Sequence, residues 1–204
     1  MPTRNRGPHP KDHQHFATEQ LPRLRSAADD LCFLLSRGYG ASSATTLVGN
    51  RYRLNQRQRL ALGRICVADR KIEERREKSL SPAGLRGQAV VIDGFNQLIL
   101  LESLFSGAYV FRCRDGLLRD VSSVHGSYKR VLQTEHAIRQ LGHLLTDLGV
   151  AQADWFLDRP VSNSGWLKTE LLAIAAEEGY LWSAEVVYNP DREVAARAGI
   201  AISS

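Results

Sequence analysis

Val90-Val91-Ile92-Asp93-Gly94-Phe95-Asn96 is the stretch on which the fold turns. Three β-branched apolar residues lead into an acid, a glycine and an amide. Val90 to Ile92 is too short for a buried helix and reads as a buried parallel strand. Asp93 then falls at its carboxyl end, where open α/β sheets place ligands and catalytic groups. Gly94 permits a sharp turn and Asn96 can open the next helix. An aspartate leaving a strand beside an asparagine suits a hard divalent cation, which takes oxygen ligands. A strand followed by an Asx turn accounts for the same residues.

Downstream of this stretch the pattern alternates. A helix is expected from Asn96 to about Phe105, a strand over 108–113, a turn at Arg114-Asp115-Gly116 and a short strand over 117–121. A helix follows from about Tyr128 to Leu148, then a strand over 154–157 and a helix over 166–178. A strand over 184–188, a short helix over 191–198 and a last strand over 200–202 complete the run. Alternation of this kind predicts a three-layer α/β domain with a mainly parallel sheet.

Upstream, helical periodicity begins near Leu21, with Leu24, Ala27, Leu31, Leu34 and Leu35 on one face. Gly38 is placed to end that helix. Ser42 or Ser43 can cap a second helix, and Asn55 with Gln58 forms a variant capping box for a third. The expected organisation is a flexible tail over 1–17, a basic helical domain over 18–78, a linker over 79–88 and an α/β domain over 89–204. His9, His13 and His15 in the tail are either metal donors or solvated side chains.

The 204-residue chain carries a net charge of +5, which favours an anionic partner, nucleic acid first. Arg51, Tyr52, Arg53, Arg57, Arg59 and Arg64 interleave guanidiniums with an aromatic ring. Short helices with that interleaving resemble a helix-turn-helix-like nucleic-acid binder; a solvated basic face with Tyr52 in the core is the other reading. Cys32, Cys66 and Cys113 form no C-x-x-C pair, so neither a zinc site nor a disulfide framework is expected, and a reducing cytoplasm fits. No signal peptide or membrane span is predicted.

Three expected strand ends carry an acid: Asp93, Asp158 after Trp155-Phe156-Leu157, and Asp191 after Val186-Val187-Tyr188. In a parallel sheet these ends share one edge. Converging carboxylates repel, and bound Mg²⁺ or Mn²⁺ relieves the repulsion. Asn96 would orient a ligand or a carboxylate. Glu102, two turns into the next helix, faces either the metal or solvent depending on helix tilt. Ser162, Ser164 and the backbone N–H groups around them could hold phosphate, or Ser164 could simply cap a helix. Arg159 and Lys168 are further phosphate contacts or exposed charges.

Ile92-Asp93-Gly94-Phe95-Asn96 resembles the opening strand motif of PIN-like and NYN-type nucleases. Phe156-Leu157-Asp158 resembles their second acidic strand end, and the region of Asp191 their third. More closely, the chain resembles a two-domain family, domain of unknown function 434 followed by domain of unknown function 5616. Arg37 to Tyr39, Gly49 to Tyr52, Asp115-Gly116, Arg119-Asp120 and Asp158 to Gly165 carry that resemblance, which covers roughly residues 20–204. It implies a PIN-like fold and a metal-dependent RNA or DNA nuclease, with Asp93, Asp158 and Asp191 as ligands; RNA is the leading expectation for the nucleic-acid partner. PIN-like proteins usually add a Ser or Thr followed by Asp after the strand at 200–202. Here Ile202-Ser203-Ser204 ends the chain before it, through truncation or loss. A catalytically inactive nucleic-acid-binding protein and a small-molecule phosphohydrolase or nucleotide-binding protein are the alternatives, and self-association is left open.

Overall fold

A computed structural model describes residues 5–122, 128–197 and 199–202. In chain order its elements are α1 (Asp12–His15), α2 (Leu21–Ser36), α3 (Ala41–Arg51), α4 (Gln56–Ile65), α5 (Asp69–Lys78), β1 (Ala89–Asp93) and α6 (Gly94–Phe105). They continue with β2 (Val110–Arg112), β3 (Leu118–Asp120), α7 (Thr134–Asp147), β4 (Gln152–Asp158), α8 (Ser164–Glu178), β5 (Trp182–Val187), α9 (Pro190–Ala196) and β6 (Ile200–Ile202).

The chain divides into two compact units. Gly7–Ser79 and Gly107–Val121 form one; residues 5–6, Leu80–Ser106 and the described residues from Ser122 onward form the other.

The first unit is helical. Ala27, Leu31 and Cys32 of α2 pack with Ala44 and Val48 of α3 and with Leu54, Leu62 and Cys66. α2 ends as expected: Gly38 adopts φ +83°, and the N–H of Tyr39 turns back to the Leu34 carbonyl. The Asn55–Gln58 capping box forms reciprocally. The expected serine cap of α3 does not form; Gly40 holds that place without a side-chain bond.

Two sequence expectations change here. The lead segment, expected as a flexible tail, is folded from His9 onward. Asp12 is fully buried and Phe16 packs against Tyr109 and Phe111. The strands β2 and β3, expected within the alternating α/β pattern, pair antiparallel as a separate two-stranded hairpin. Val121, at its end, joins Phe16 and Ala61 in a small core of the helical unit. The hairpin strands are three residues long and only partly buried, and they carry no two-faced apolar run such as the interior strand β1 has.

The second unit is α/β. Its sheet has the order β5-β4-β1-β6, and every pairing is parallel. β1 is central and Val90, Val91 and Ile92 are buried, as a doubly covered strand requires. β4 (Ala153, Trp155, Leu157), α6 (Leu98, Ile99), α7 (Ile138, Leu141, Leu145) and α8 (Leu167, Leu171, Ile174) complete the core. Burying these side chains contributes roughly 1.5–3 kcal/mol apiece before entropy is counted. Among the described residues no helix is long and apolar enough to cross a membrane.

Candidate functional site

The parallel sheet fixes one edge. Asp93 ends β1, Asp158 ends β4 and Asp191 opens α9 just beyond β5. In register Asp93 lies beside Phe156, and Asp158 beside Val187. All three acids therefore come from the carboxyl edge of neighbouring strands.

Asp93 is held most firmly. It is the N-cap of α6, accepting the Asn96 backbone N–H at 3.3 Å and the Asn96 amide at 2.7 Å. Gly94 makes this possible. A Cβ there would lie 2.6 Å from Leu157 Cδ2 and 3.3 Å from the Phe156 carbonyl, so only glycine lets the start of the helix sit against β4. Asp93 is 8% exposed. Burial pushes its carboxyl up to about 6, with Asp191 and Asp158 adding to the rise against the Asn96 bonds. Burial and Asp191 also raise Asp158. Asp191 thus acts on both Asp93 and Asp158, while Asn96 and Asp191 stay exposed.

The donor set is hard oxygen, which fits Mg²⁺ or Mn²⁺. Among the described residues no three His, Cys, Asp or Glu side chains are gathered closely enough to hold a metal by themselves. Magnesium sites tolerate this, because the ion keeps several waters and takes one or two carboxylates plus substrate phosphate oxygens.

Glu102 lies elsewhere. It is fully buried and accepts the Tyr128 hydroxyl at 2.5 Å, the Thr134 hydroxyl at 2.6 Å and the Arg6 guanidinium. Arg6 also lies over the Tyr128 ring. With its oxygens so occupied, Glu102 acts as a buried anchor. Beside Asp158, the Ser164 hydroxyl lies within hydrogen-bond reach of the Asp158 and Val161 carbonyls, pinning the loop rather than capping a helix. Asn163, in the left-handed region at φ +68°, precedes α8 without a side-chain cap. Ser162 and Arg159 are exposed and Lys168 is half-buried.

The basic set of the helical unit separates into two groups. Arg57 donates Nε and Nη2 to the two oxygens of Asp12, both at 2.9 Å, and Nη1 to the Val121 carbonyl at 2.7 Å. Arg59 donates to the Leu54 carbonyl at 2.8 Å and to Asn50 at 2.9 Å. These two guanidiniums hold the fold. Tyr52 is half-buried and donates its hydroxyl to Asp30 at 2.9 Å. Arg51 lies 3.5 Å from the same carboxylate yet remains 72% exposed. Arg53 and Arg64 are exposed. Only Arg51, Arg53 and Arg64 of the expected set present charge outward.

The cysteines are free and buried. A hydrogen bond with Cys66 pulls the Cys32 thiol down, and the same bond pushes the Cys66 thiol up. His9 and His15 stack at 6.5 Å and belong to no metal-binding group of described residues. His125 and Ser203-Ser204 lie outside the described residues. Two features escaped the sequence reading: Arg6 as partner of Glu102, and Tyr188, which carries Arg159 4.9 Å from its ring centroid.

The family described as "Domain of unknown function (DUF5616)" matches residues 82–204, and the one described as "Protein of unknown function (DUF434)" matches residues 23–78. An uncharacterized protein of Methanocaldococcus jannaschii is 33% identical over 148 residues, covering 72% of this chain and 71% of the relative. No solved structure matches the chain. The chain belongs to the DUF5616 family, with a DUF434 module ahead of that domain.

Proposed function

We propose that this chain is a metal-dependent phosphodiesterase acting on RNA, built on a PIN-like α/β unit. One observation carries the reading: Asp93, Asp158 and Asp191 reach the same sheet edge from consecutive parallel strands, and the latter two raise the proton affinity of Asp93. Carboxylates held together against their own repulsion are a functional-site signature.

A bound Mg²⁺ or Mn²⁺ would supply charge for the phosphate and acidify a water. Asp93 would be the fixed ligand, since Asn96 and the start of α6 set its orientation. Asp158 and Asp191, both more open, would complete the donor set. Arg159 and Lys168 would hold the phosphate backbone, and Arg51, Arg53 and Arg64 would add salt-sensitive grip.

The test is cleavage of a labelled single-stranded RNA with Mn²⁺ by the chain, Asp93→Asn and Asp158→Asn. Metal-dependent cutting by the chain, lost in both variants, is expected. Absence of cutting with salt-sensitive binding intact would replace the enzyme with a binding protein.

A further inference from the structure

Tyr188 follows the end of β5 and is 75% exposed, more than any other large apolar or aromatic side chain among the described residues. A single exposed ring is ordinary. This one is distinguished by its support. The Arg159 N–H donates to the Val187 carbonyl at 2.7 Å, carrying the β4–β5 ladder one step past Asp158. On the other side, Asn189 caps α9 by accepting the Arg192 N–H at 3.0 Å. The backbone of Tyr188 is therefore pinned before and after the residue while its ring stays in solvent.

Its place is equally defined. Adjacent strands lie about 4.8 Å apart and successive Cα atoms about 3.8 Å, so the Tyr188 backbone is roughly 6 Å from that of Asp158. Asp191 is three residues further on. Arg159 is exposed and rests over one side of the ring, 4.9 Å from its centroid. An aromatic face beside an exposed guanidinium, at the rim of an acidic site, is the pairing that binds a nucleobase and its phosphate together.

We propose that Tyr188 and Arg159 form a stacking platform for one unpaired base of the substrate, which makes the substrate a single-stranded nucleic acid. The inference rests on the phosphodiesterase reading for the role of the neighbouring acids. Bases inside a duplex have both faces covered by their neighbours, so only an unpaired base offers a face to Tyr188. The open side of the ring takes the base, and Arg159 meets the adjoining phosphate.

The probe is a single-stranded RNA carrying 2-aminopurine, whose fluorescence is quenched by stacking, titrated in EDTA with the full chain. Quenching is expected with the wild-type chain and with Tyr188→Phe. Tyr188→Ala should abolish the quench and weaken binding between about 5-fold and 150-fold, the range of one base–aromatic stack. Its melting temperature should not move, since the ring is exposed. Arg159→Gln should flatten the salt dependence by about one phosphate contact. A fully paired duplex of the same sequence should give no quench. Equal quench and affinity in Tyr188→Ala would overturn the platform. Cutting in Mn²⁺ measured alongside separates the two readings. Cutting by the wild-type chain with equal quench and affinity in Tyr188→Ala leaves the phosphodiesterase and removes the platform; a Tyr188-dependent quench without any cutting does the reverse.

Discussion

Asp93 and Asn96 are joined twice, once through the Asn96 backbone N–H at 3.3 Å and once through its side-chain amide at 2.7 Å. Even so, burial wins over these bonds and the carboxyl is pushed up to about 6. An unfolded Asp titrates near 3.9. The folded value is the higher one, so the stability tied to this group is present below about pH 4 and lost as pH rises through 6. The loss by pH 8 is about 3 kcal/mol. Asp93→Asn should therefore melt at a higher temperature than wild type at pH 8 in EDTA, and show no gain at pH 4. The gain falls short of the full figure because one of the two oxygens that accept from Asn96 becomes an NH2 group, which cannot accept. A variant that melts lower at pH 8 would contradict the assignment.

A divalent cation should act in the opposite sense. Bound to the ionised carboxylates, it stabilises the folded state by mass action. Saturating Mn²⁺ at pH 8 is expected to raise the melting temperature of the wild-type chain by several degrees. Asp93→Asn and Asp158→Asn should lose that rise. No rise in the wild type would remove the metal from the proposed function.

Glu102 gives the matching control. Its carboxylate is enclosed by Arg6, Tyr128 and Thr134. Glu102→Ala should destabilise the chain by about 3–5 kcal/mol, because the Arg6 charge and two hydroxyls lose their partner. Glu102→Gln, a milder change, should keep the full Mn²⁺-induced rise in melting temperature. Loss of that rise would return Glu102 to the metal site.

Arg57 and Arg53 should behave as opposites. Arg57→Ala strands the fully buried Asp12 carboxylate and is expected to cost about 3 kcal/mol in urea unfolding. Arg53→Ala should leave stability within about 0.5 kcal/mol and weaken RNA binding with a shallower salt slope. Equal stabilities for the two would show that the Asp12–Arg57 pair contributes nothing.

Much of both units was legible because the signals are local. Val90 to Ile92 can hardly be anything but a strand, and Asn55 with Gln58 announces a helix start within four residues. What stayed hidden is long-range. Nothing near Arg57 shows that Asp12, 45 residues away, will claim its guanidinium. Glu102 did carry a signal: it stands three and four residues after the buried Ile99 and Leu98, which puts it on the same helical face and hence inside. Tyr188 read as the end of an apolar strand, whereas β5 stops at Val187 and leaves the ring outside. Residues 108–121 carried a strand pattern, but strand propensity does not say which sheet a strand will join.

That hairpin has a consequence for how the chain can be inherited. By sequence, the two modules abut, ending at residue 78 and beginning at residue 82. In space the chain passes between the units four times, since residues 107–121 return to the helical one. A cut at the apparent seam would deprive the N-terminal piece of Val121 and of the ring contacts to Phe16. Neither half is a detachable cassette. The pair would be expected to travel through evolution as a single gene, duplicated, transferred or lost together.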